Sequence, residues 1–371
     1  MITLTKRNII ILHPTDVGPC SYYRMRWPAD LITSRYGDDV SVIVSPFEIT
    51  DEYVLSHTAA VVILRPYNEE NETLISRYLR KRGRLGFRIF ADYDDLLFDV
   101  KGKSAMNSYN KFPIDTKKSR ETIASFISKI DGVTCSTRFL SACVRAEFGI
   151  NNVSVLPNAV PRNLFGHDVR KSIGKDIRKP RVLFGGALAC HFKEGNDGDF
   201  SGPWIPWLKE AVGKDEIELH CFGDSENVPH VFLDFIDRVH VHPCVSTAEW
   251  PSTLASIHPD FYIAPLAENI FNASKSNLKM LEATAIGAVV VPSVWKYSPY
   301  MEAHYSTAVT PDMTPEALRE KIASLSRKDA FNEALAHQFE AMDILGYWMD
   351  SEEYLLKWLK AYFGSALRTN R

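Results

Sequence analysis

The sequence predicts an α/β protein in which two Rossmann-like domains face each other across a cleft. Two series of short apolar runs alternate with longer amphipathic stretches, and a segment rich in proline, glycine and basic residues separates the two series. The third observation is size, because 371 residues of which 45% are apolar suffice for two hydrophobic cores. In open α/β sheets ligands bind beyond the carboxyl ends of the strands, so two facing sheets create one deep interdomain cleft.

The first half of the chain contains six apolar runs of strand length, separated by amphipathic stretches of helix length. Such alternation predicts a parallel sheet with helices on both faces, and we assign it to an N-terminal domain of residues 1–160. The predicted strands are Ile9–His13, Val40–Val44, Ala59–Arg65, Arg88–Asp94, Gly132–Ser136 and Val153–Pro157.

Residues 161–180 interrupt this alternation with Pro, Gly and six basic residues, and they predict the interdomain linker. Five further apolar runs predict a C-terminal domain over residues 181–345. They are Arg181–Ala187, Glu216–Asp224, Val239–Val245, Asp260–Leu266 and Ala288–Ser293. Residues 346–371 contain an amphipathic helix pattern, which we expect to pack on a domain surface.

The charge of the chain is nearly balanced overall but uneven along its length. Residues 1–180 hold 27 Lys and Arg against 20 Asp and Glu, a charge of +7, whereas the remainder holds 16 against 26, a charge of −10. The basic half favours an anionic partner, such as DNA or an anionic membrane surface, unless its charges are simply spread over solvated helices. The longest apolar runs are strand-sized, and the N-terminus lacks a signal pattern, so we expect a cytoplasmic protein without a transmembrane segment.

The six cysteines are scattered without a C-x-x-C pair. This spacing favours reduced thiols over a disulfide framework or a zinc site. His240, His242 and Cys244 alternate along a predicted strand, but the sequence offers no further metal ligands nearby, and no metal site is predicted.

Phe271–Gly287, which reads FNASKSNLKMLEATAIG, is the most informative segment. It follows a buried strand and predicts a helix whose start carries Ser274, Lys275 and Ser276, where unpaired N–H groups and the helix dipole favour phosphate. Glu282 lies two turns further along and can accept hydrogen bonds from sugar hydroxyls. The segment therefore suits a nucleotide-sugar site, and the alternative is an ordinary amphipathic helix with a solvated glutamate.

An ordered series of segments resembles the GT-B glycosyltransferases, and specifically the family-4 class of retaining enzymes. The segments are RVLFGGA (181–187), LHCFGD (219–224), VHVHPCV (239–245), DFYIAPL (260–266), LEATAIGAVVVPS (281–293) and LPNAV (156–160). The resemblance implies a hexosyl- or pentosyltransferase that takes a nucleoside-diphosphate sugar, expected to be a UDP-sugar, as its co-substrate. It implies no prosthetic group, and the oligomeric state stays open.

Members of this class carry two glutamates spaced E-x7-E in the donor helix, the first contacting the transferred sugar and the second the ribose. Glu282 matches the second glutamate, whereas Ser274 occupies the place of the first. The resemblance leaves Asn272 and Lys275 as replacements at the sugar. It places the backbone groups of Ser276 at the phosphates.

The class also clamps the diphosphate with an arginine and a lysine after the first strand of the C-terminal domain. Here the resemblance assigns Lys193 as the lysine, while the arginine position falls near Ala187, so that His191 and Lys275 are candidate replacements. The remaining residues expected at the donor are Gly18, Gly185, Gly186, His242 and Asn277.

The loop after the first strand, HPTDVGPCSYYRMRWP (13–28), corresponds to the loop of the family that faces the donor across the cleft. Gly18 allows the backbone to approach closely there. The next helix opens with side chains that we assign to the acceptor side or to phosphate, although packing on the helix surface is the alternative. These side chains are Tyr22, Tyr23, Arg24 and Arg26.

Three carboxylates stand at a predicted strand end in the segment ADYDDLLFD. Asp92, Asp94 and Asp95 are of the ligand type that Mg²⁺ prefers, and Asp94 is also a candidate catalytic base. We favour acceptor contact or loop capping over metal binding, with magnesium dependence as the discriminating assay.

Residues 77–88 concentrate six cations around Tyr78 and Phe87, a pattern that nucleic-acid-binding proteins use. We expect a glycan or glycolipid acceptor, with hydroxymethylated bases of DNA as the alternative, which would require extrusion of the target nucleotide. A second alternative is a degenerate member that binds nucleotide or nucleic acid without transfer.

Overall fold

The computed structural model describes residues 2–3, 7–15, 18–104, 106, 114–165, 173–187, 191, 198–223, 236–303, 305–364 and 367–369. Its strands are β1 Ile2–Thr3, β2 Ile9–His13, β3 Ser41–Val44, β4 Thr58–Leu64, β5 Arg88–Tyr93, β6 Gly132–Cys135, β7 Val153–Val155, β8 Arg181–Ala187, β9 Glu218–Phe222, β10 Val239–His242, β11 Phe261–Ala264, β12 Val289–Pro292 and β13 Arg368–Thr369.

The helices lie between these strands, as the alternation predicts. They are Pro19–Ser21, Trp27–Tyr36, Glu52–His57, Glu69–Leu85, Thr116–Phe126, Arg138–Phe148, Arg162–Phe165, Trp204–Gly213, Trp250–Ile257, Ile270–Ser274, Leu278–Ala285, Pro315–Leu325, Lys328–Leu345 and Glu352–Phe363. A π-helical turn, Tyr22–Arg26, joins the first two of them.

Two parallel sheets organise the chain. The first has six strands in the order β3-β2-β4-β5-β6-β7 and belongs to what we call the N-terminal lobe; the second has five in the order β10-β9-β8-β11-β12 and belongs to the C-terminal lobe. In each sheet the strand order reverses beside the strand that comes first in that sheet along the chain, which is β2 in the first sheet and β8 in the second. This is the doubly wound arrangement of Rossmann-like domains. The predicted fold class is confirmed, whereas the domain boundaries themselves stay predictions.

The apolar residues of the strands build a core on each side of either sheet. One hydrophobic cluster lies in the N-terminal lobe and also includes Phe271 of the C-terminal lobe, with Ile270 packed against it. Another cluster fills the C-terminal lobe. A third cluster runs from Trp27 of the N-terminal lobe to Tyr262 and Met280 of the C-terminal lobe. This cluster therefore packs the two lobes against each other.

The helix Glu352–Phe363 returns from the C-terminal lobe to the N-terminal lobe. Its stripe of large side chains is buried, the Tyr354 hydroxyl donates to the carbonyl of Pro157 over 3.2 Å, and the Tyr362 ring lies 5.6 Å from that of Phe90. Arg88 donates to the carbonyl of Tyr362. These contacts place the helix on the surface of the N-terminal lobe.

The segment that the sequence predicts as one helix is two helices in the structure. Ile270–Ser274 ends at Lys275, whose backbone is extended (φ −63°, ψ 158°), and a second helix begins at Leu278. The expectation of a continuous helix starting near Ser274 is therefore wrong. The phosphate-favouring helix start lies four residues later, directly after Asn277.

No disulfide bond joins the cysteines that the structure describes. Among the described helices, none is both long enough and apolar enough to cross a lipid bilayer.

Candidate functional site

A cavity of about 430 Å³ lies between the two lobes. The N-terminal lobe contributes residues that include Cys20, Tyr23, Arg65, Asp94, Asp95 and Asn158, and the C-terminal lobe contributes residues from seven separate stretches between Gly185 and Tyr300. The volume falls in the range of about 300 to 1,000 Å³ that is usual for small-molecule sites. We call this cavity the interlobe cleft.

Glu282 stands at the inner end of the interlobe cleft and is held from three directions. Oε1 accepts from the Tyr23 hydroxyl over 2.5 Å and from Trp250 Nε1 over 2.9 Å, and Oε2 accepts from the Tyr262 hydroxyl over 2.8 Å. Burial raises the pKa of Tyr23 and of Tyr262, and the Glu282 carboxylate raises both further, so both hydroxyls keep their protons and act as donors. Glu282 is 4% exposed, yet it lines the cleft.

Gly185 and Gly186 allow side chains of the C-terminal lobe to approach the end of β8. A Cβ atom at Gly185 would lie 1.8 Å from the Tyr262 hydroxyl oxygen, and one at Gly186 would lie 3.0 Å from Lys279 Nζ and 3.3 Å from His191 Nε2. The carbonyl of Gly185 accepts from the Tyr262 hydroxyl over 3.2 Å and from Lys279 Nζ over 2.7 Å. The absence of side chains at these two positions lets a cation and an imidazole meet at the cleft.

His191 is oriented by a buried carboxylate. Its Nδ1 lies 2.7 Å from Oδ2 of Asp199, while Oδ1 of Asp199 accepts from Asn272 Nδ2 over 2.7 Å and from the backbone N–H of Ala267 over 3.0 Å. Burial lowers the pKa of His191, although the Asp199 carboxylate opposes this shift. The imidazole is therefore neutral near pH 7 and presents Nε2 toward the cleft, with Nδ1–H donating to Asp199.

The break between the two helices supplies a cation and polar groups to the cleft. Lys275 is half-buried, with Nζ 4.9 Å from the centre of the Phe271 ring, and it lines the cleft with Ser276. The Ser276 hydroxyl accepts from Asn158 Nδ2 of the N-terminal lobe over 2.8 Å. The first backbone N–H groups of helix Leu278–Ala285 have no acceptor within that helix.

The opposite wall carries an ion-pair group. Arg65 donates through Nε to Asp94 and through Nη2 to Oδ2 of Asp95, the latter over 2.5 Å. All three side chains line the interlobe cleft, next to Cys20. The guanidinium balances one of the two carboxylate charges at this strand end.

Arg24 and Asp92 lie in the interior and not on the acceptor side. They are 2% and 1% exposed, and two hydrogen bonds of 2.8 Å and 2.6 Å join guanidinium to carboxylate. Arg24 also donates to the carbonyl of Leu156 and to Asn158 Oδ1. The expectation of acceptor contact is wrong for this pair, because a charged pair satisfied in this way is a structural link between strands β5 and β7 and the first helices.

Ser274 and Asn272 are also fully buried. Ser274 Oγ donates to the carbonyl of Phe271 over 2.6 Å at the end of its helix, so it does not stand at a helix start or face the cleft. Asn272 acts through Asp199, as described above. The expectation of direct donor contact is wrong for both side chains in this arrangement.

The other predicted residues that the structure describes do not line the interlobe cleft. Asn277 is buried and donates to Glu302 Oε2 over 2.9 Å, and His242 lies on β10 against His220. Gly18 precedes the first helix, whereas Tyr22 packs against Trp27 with Arg26 over its ring. Lys193 lies outside the described residues.

Several cleft residues escaped the sequence interpretation. Lys279 was recoverable, because it lies three positions before Glu282 and therefore on the same helix face. Trp250, Tyr262 and Arg65 approach from strands and helices distant in the chain, and Asp199 acts behind His191. No local pattern marks those four residues.

Comparison with solved structures identifies the architecture. A glycosyltransferase from Rickettsia africae ESF-5 aligns with a TM-score of 0.61 at 12% identity, over 96% of this chain and 98% of its own. Anabaena Alr3699/HepE in complex with UDP-glucose aligns with a TM-score of 0.61 at 12% identity, over 95% and 98%. A point mutant of S. aureus TarM, solved with fondaparinux, α-GlcNAc-glycerol and UDP, aligns with a TM-score of 0.56 at 14% identity.

The TarM alignment covers 84% of this chain and 56% of TarM, so the chain spans little more than half the length of that protein. No protein-family model and no curated protein matches this sequence. The likeness to these solved glycosyltransferases over almost the whole chain shows that the chain has the GT-B fold.

Proposed function

We propose that this protein is a glycosyltransferase that binds a nucleoside-diphosphate sugar, a UDP-sugar, in the interlobe cleft and transfers the sugar to a hydroxyl group with retention of configuration. One observation carries the proposal. Lys275, Lys279 and Glu282 meet in a single cavity at the amino end of one helix, beside the neutral His191. The solved neighbours with UDP or UDP-glucose bound support the same type of donor.

The diphosphate is assigned to the cationic end of the cleft. Departure of a nucleoside diphosphate leaves negative charge on the phosphate, and a preorganised cation or helix N-terminus stabilises that charge. Lys279 Nζ is fixed by the Gly185 carbonyl, and Lys275 lies at the adjoining chain break. We place Lys193, which the family resemblance also assigns to the diphosphate, as a further candidate.

The nucleoside is assigned to the inner end of the cleft. A carboxylate offers about four acceptor sites, and three at Glu282 are occupied by Tyr23, Tyr262 and Trp250, which leaves about one for a ribose hydroxyl. The Trp250 ring packs 4.7 Å from that of Phe222, and both line the cleft. This aromatic wall suits a planar base.

The transfer step breaks the bond between the anomeric carbon and the diphosphate oxygen and forms a bond to the acceptor oxygen. The acceptor proton passes to the departing phosphate, as the resemblance to retaining enzymes of this fold implies, and no protein base is then needed. Asp94 on the opposite wall is the alternative acceptor for the same proton. Arg65 holds Asp94 in place and donates to Asp95 as well. His191 Nε2 is an acceptor for a hydroxyl of the transferred sugar.

A glycan or the sugar portion of a glycolipid is the proposed acceptor. A second cavity of about 680 Å³ lies at the carboxyl ends of the N-terminal strands and shares Arg65 with the interlobe cleft. It is lined by the exposed ring of Phe47 and by the carboxylates of Glu48 and Glu70. Rings offer a face for sugar packing, and carboxylates accept hydrogen bonds from hydroxyls.

The DNA alternative loses the observation that favoured it. Four cations of residues 77–88 are paired with carboxylates, namely Arg77 and Lys81 with Glu48, Arg82 with Asp131, and Arg84 with Glu52. Tyr78 and Phe87 are 0% and 1% exposed. The expectation that these two rings stack on bases is wrong, because both belong to the hydrophobic core.

The test is release of nucleoside diphosphate from a panel of nucleotide sugars, with and without Mg²⁺, in the presence of glycan acceptors and of plain or hydroxymethylated duplex DNA. Transfer to a glycan, identified by its mass, supports the proposal. Donor binding without turnover for any acceptor would instead support the degenerate binding protein, and transfer to the hydroxymethylated duplex would replace the glycan by DNA.

A further inference from the structure

An imidazole-rich cluster lies on the C-terminal sheet, outside the proposed reaction site. It consists of Glu218 and His220 on β9 and His240 on the edge strand β10, and we call it the histidine cluster. The parallel register places His220 directly opposite His240, and the alternation of side chains along β9 brings Glu218 to the same face as His220. Among the described residues, these are the three metal-ligating side chains whose donor atoms converge.

The donor atoms have the spacing of a metal site. Oε1 of Glu218 lies 2.8 Å from His220 Nε2 and 3.9 Å from His240 Nε2, and all three atoms lie within 4.8 Å of one another. Zinc bonds of about 2.0 to 2.2 Å at tetrahedral angles require ligand separations of about 3.3 to 3.5 Å. The His240 ring is stacked on that of His220, with centroids 4.6 Å apart and an interplanar angle of 14°, so it must turn to direct Nε2 at the same ion. Its side chain is 56% exposed and has room to do so.

A second contact orients the central imidazole. His220 Nδ1 lies 2.9 Å from His242 Nε2, and the two rings are stacked within 12°. Metal-binding histidines characteristically donate their second ring N–H to a neighbouring acceptor, which fixes the tautomer. In the metal-free protein Nε2–H of His220 donates to the Glu218 carboxylate. Metal binding uses the other tautomer, in which Nδ1–H is directed to His242 and the Nε2 lone pair is free to bind the cation.

We propose that Glu218, His220 and His240 bind one divalent transition metal of the zinc type, with a coordination position left open to solvent. Two imidazoles and one carboxylate form a ligand set that zinc uses, and imidazole selects it over Mg²⁺ or Ca²⁺. The Arg181 guanidinium, 3.2 Å from Oε1 of Glu218, opposes binding and sets an upper limit on affinity.

The metal would join the edge strand β10 to β9 next to the cleft. Phe222, which lines the interlobe cleft, packs 5.2 Å from His242 and lies two residues beyond His220. Fixing the histidine cluster therefore fixes the strand that carries one wall of the proposed nucleoside end. The role is structural and does not require the metal to touch donor or acceptor.

The test is titration of the whole metal-free protein with Zn²⁺ in a calorimeter and with Co²⁺ followed by its visible absorption. We expect one equivalent to bind, and we expect binding to be lost in His240→Ala and Glu218→Gln. His242→Ala should weaken binding by about 10- to 100-fold through loss of the orienting contact, and Arg181→Gln should strengthen it.

The matched control is His258→Asn, because His258 is an exposed histidine of the same lobe that lies outside the histidine cluster. Its backbone is left-handed (φ 50°), a conformation that asparagine tolerates. This variant should bind the metal as the parent does.

His240 is exposed, so the His240→Ala variant should fold, and circular dichroism verifies this. Absence of stoichiometric binding to the parent protein would overturn the proposal. Unchanged binding in both His240→Ala and Glu218→Gln would overturn it as well, because the metal would then lie elsewhere. Both results are independent of glycosyl transfer.

Discussion

Replacement of Lys279 by methionine tests the assignment of the diphosphate most directly. Lys279 Nζ is anchored 2.7 Å from the Gly185 carbonyl and stands 5.0 Å from the centre of the Phe184 ring. Methionine keeps the length and the apolar stem of the side chain but removes the charge. Because Lys279 shares a helix face with Glu282, its head group points into the same cavity.

The size of the effect follows from the position of the charge. At about 4 Å from a phosphate oxygen and an effective dielectric constant of about 20, one unit charge contributes about 4 kcal/mol. Removal of one preorganised group that stabilises transition-state charge costs about 2.7 to 4 kcal/mol, or about 10²- to 10³-fold in kcat. Lys275 remains and water enters the vacated space, so we expect the lower end, a loss of about 10²-fold in kcat/KM.

The assay compares binding of UDP and of uridine by calorimetry and then measures release of UDP from the sugar donor. Lys279→Met should weaken UDP binding while leaving uridine binding unchanged, because uridine lacks the phosphates. Lys296→Met is the control, since Lys296 is an exposed lysine whose Nζ lies over the Tyr297 ring outside the cleft.

The reasoning would be refuted by a Lys279→Met variant that loses uridine and UDP binding to the same extent. That outcome would show that Lys279 supports the fold of the site and does not contact the diphosphate. Retention of full UDP affinity and full turnover would refute it too.

Three further predictions concern the frame of the site and its pH dependence. Gly185→Ala should cost about 1 to 3 kcal/mol of stability and weaken UDP binding, because its Cβ displaces Tyr262 from Glu282. Thermal unfolding measures the loss of stability, and calorimetry measures UDP binding. Arg24→Met should cost about 3 to 5 kcal/mol in urea unfolding by leaving Asp92 buried and unpaired, and Arg24→Met with Asp92→Leu should recover much of this loss. Urea unfolding of the metal-free protein should show that the free energy of unfolding falls as pH drops below about 6.5. Burial lowers the pKa of several histidines in the folded protein, so the unfolded chain takes up protons at a higher pH than the folded chain does. These histidines are His13, His191, His220 and His242.

Each of these predictions has its own contradicting result. Gly83→Ala, in the exposed part of helix Glu69–Leu85, is the control for Gly185 and should stabilise by about 0.5 to 1 kcal/mol, since the space around its Cβ position is open among the described residues. Equal behaviour of the two alanine variants would contradict the packing argument. A double Arg24 and Asp92 variant no more stable than Arg24→Met, or a stability that is flat between about pH 7 and about pH 5, would contradict the other two.

The sheets were predictable from sequence because strand periodicity and helix length are local properties. The prediction of one continuous helix within Phe271–Gly287 was wrong because contacts from distant parts of the chain interrupt the helix. Thr137 Oγ1 donates to the carbonyl of Ser274 over 2.9 Å, and Asn158 donates to Ser276, so the N-terminal lobe holds the chain extended between the two helices. These partners lie more than a hundred positions away, and a single-sequence pattern contains no record of them.

The sequence did not predict the buried pair of charges, Arg24 and Asp92, for a related reason. Either Arg24 or Asp92 alone predicts exposure, because an unpaired charge is costly to bury. Their burial becomes favourable only when they meet, 68 positions apart. Glu282 was identified correctly as a residue of the cleft, but its three donors come from three different segments.

Hydrogen bonds between the lobes converge on the proposed donor site itself. Tyr23 reaches Glu282, Thr137 reaches the carbonyl of Ser274, and Asn158 reaches Ser276. Opening of the lobes would therefore release the carboxylate and the chain break together, and closure would restore both. Since the same contacts position the groups assigned to ribose and phosphate, affinity for the nucleotide and the closed arrangement of the lobes are one linked equilibrium.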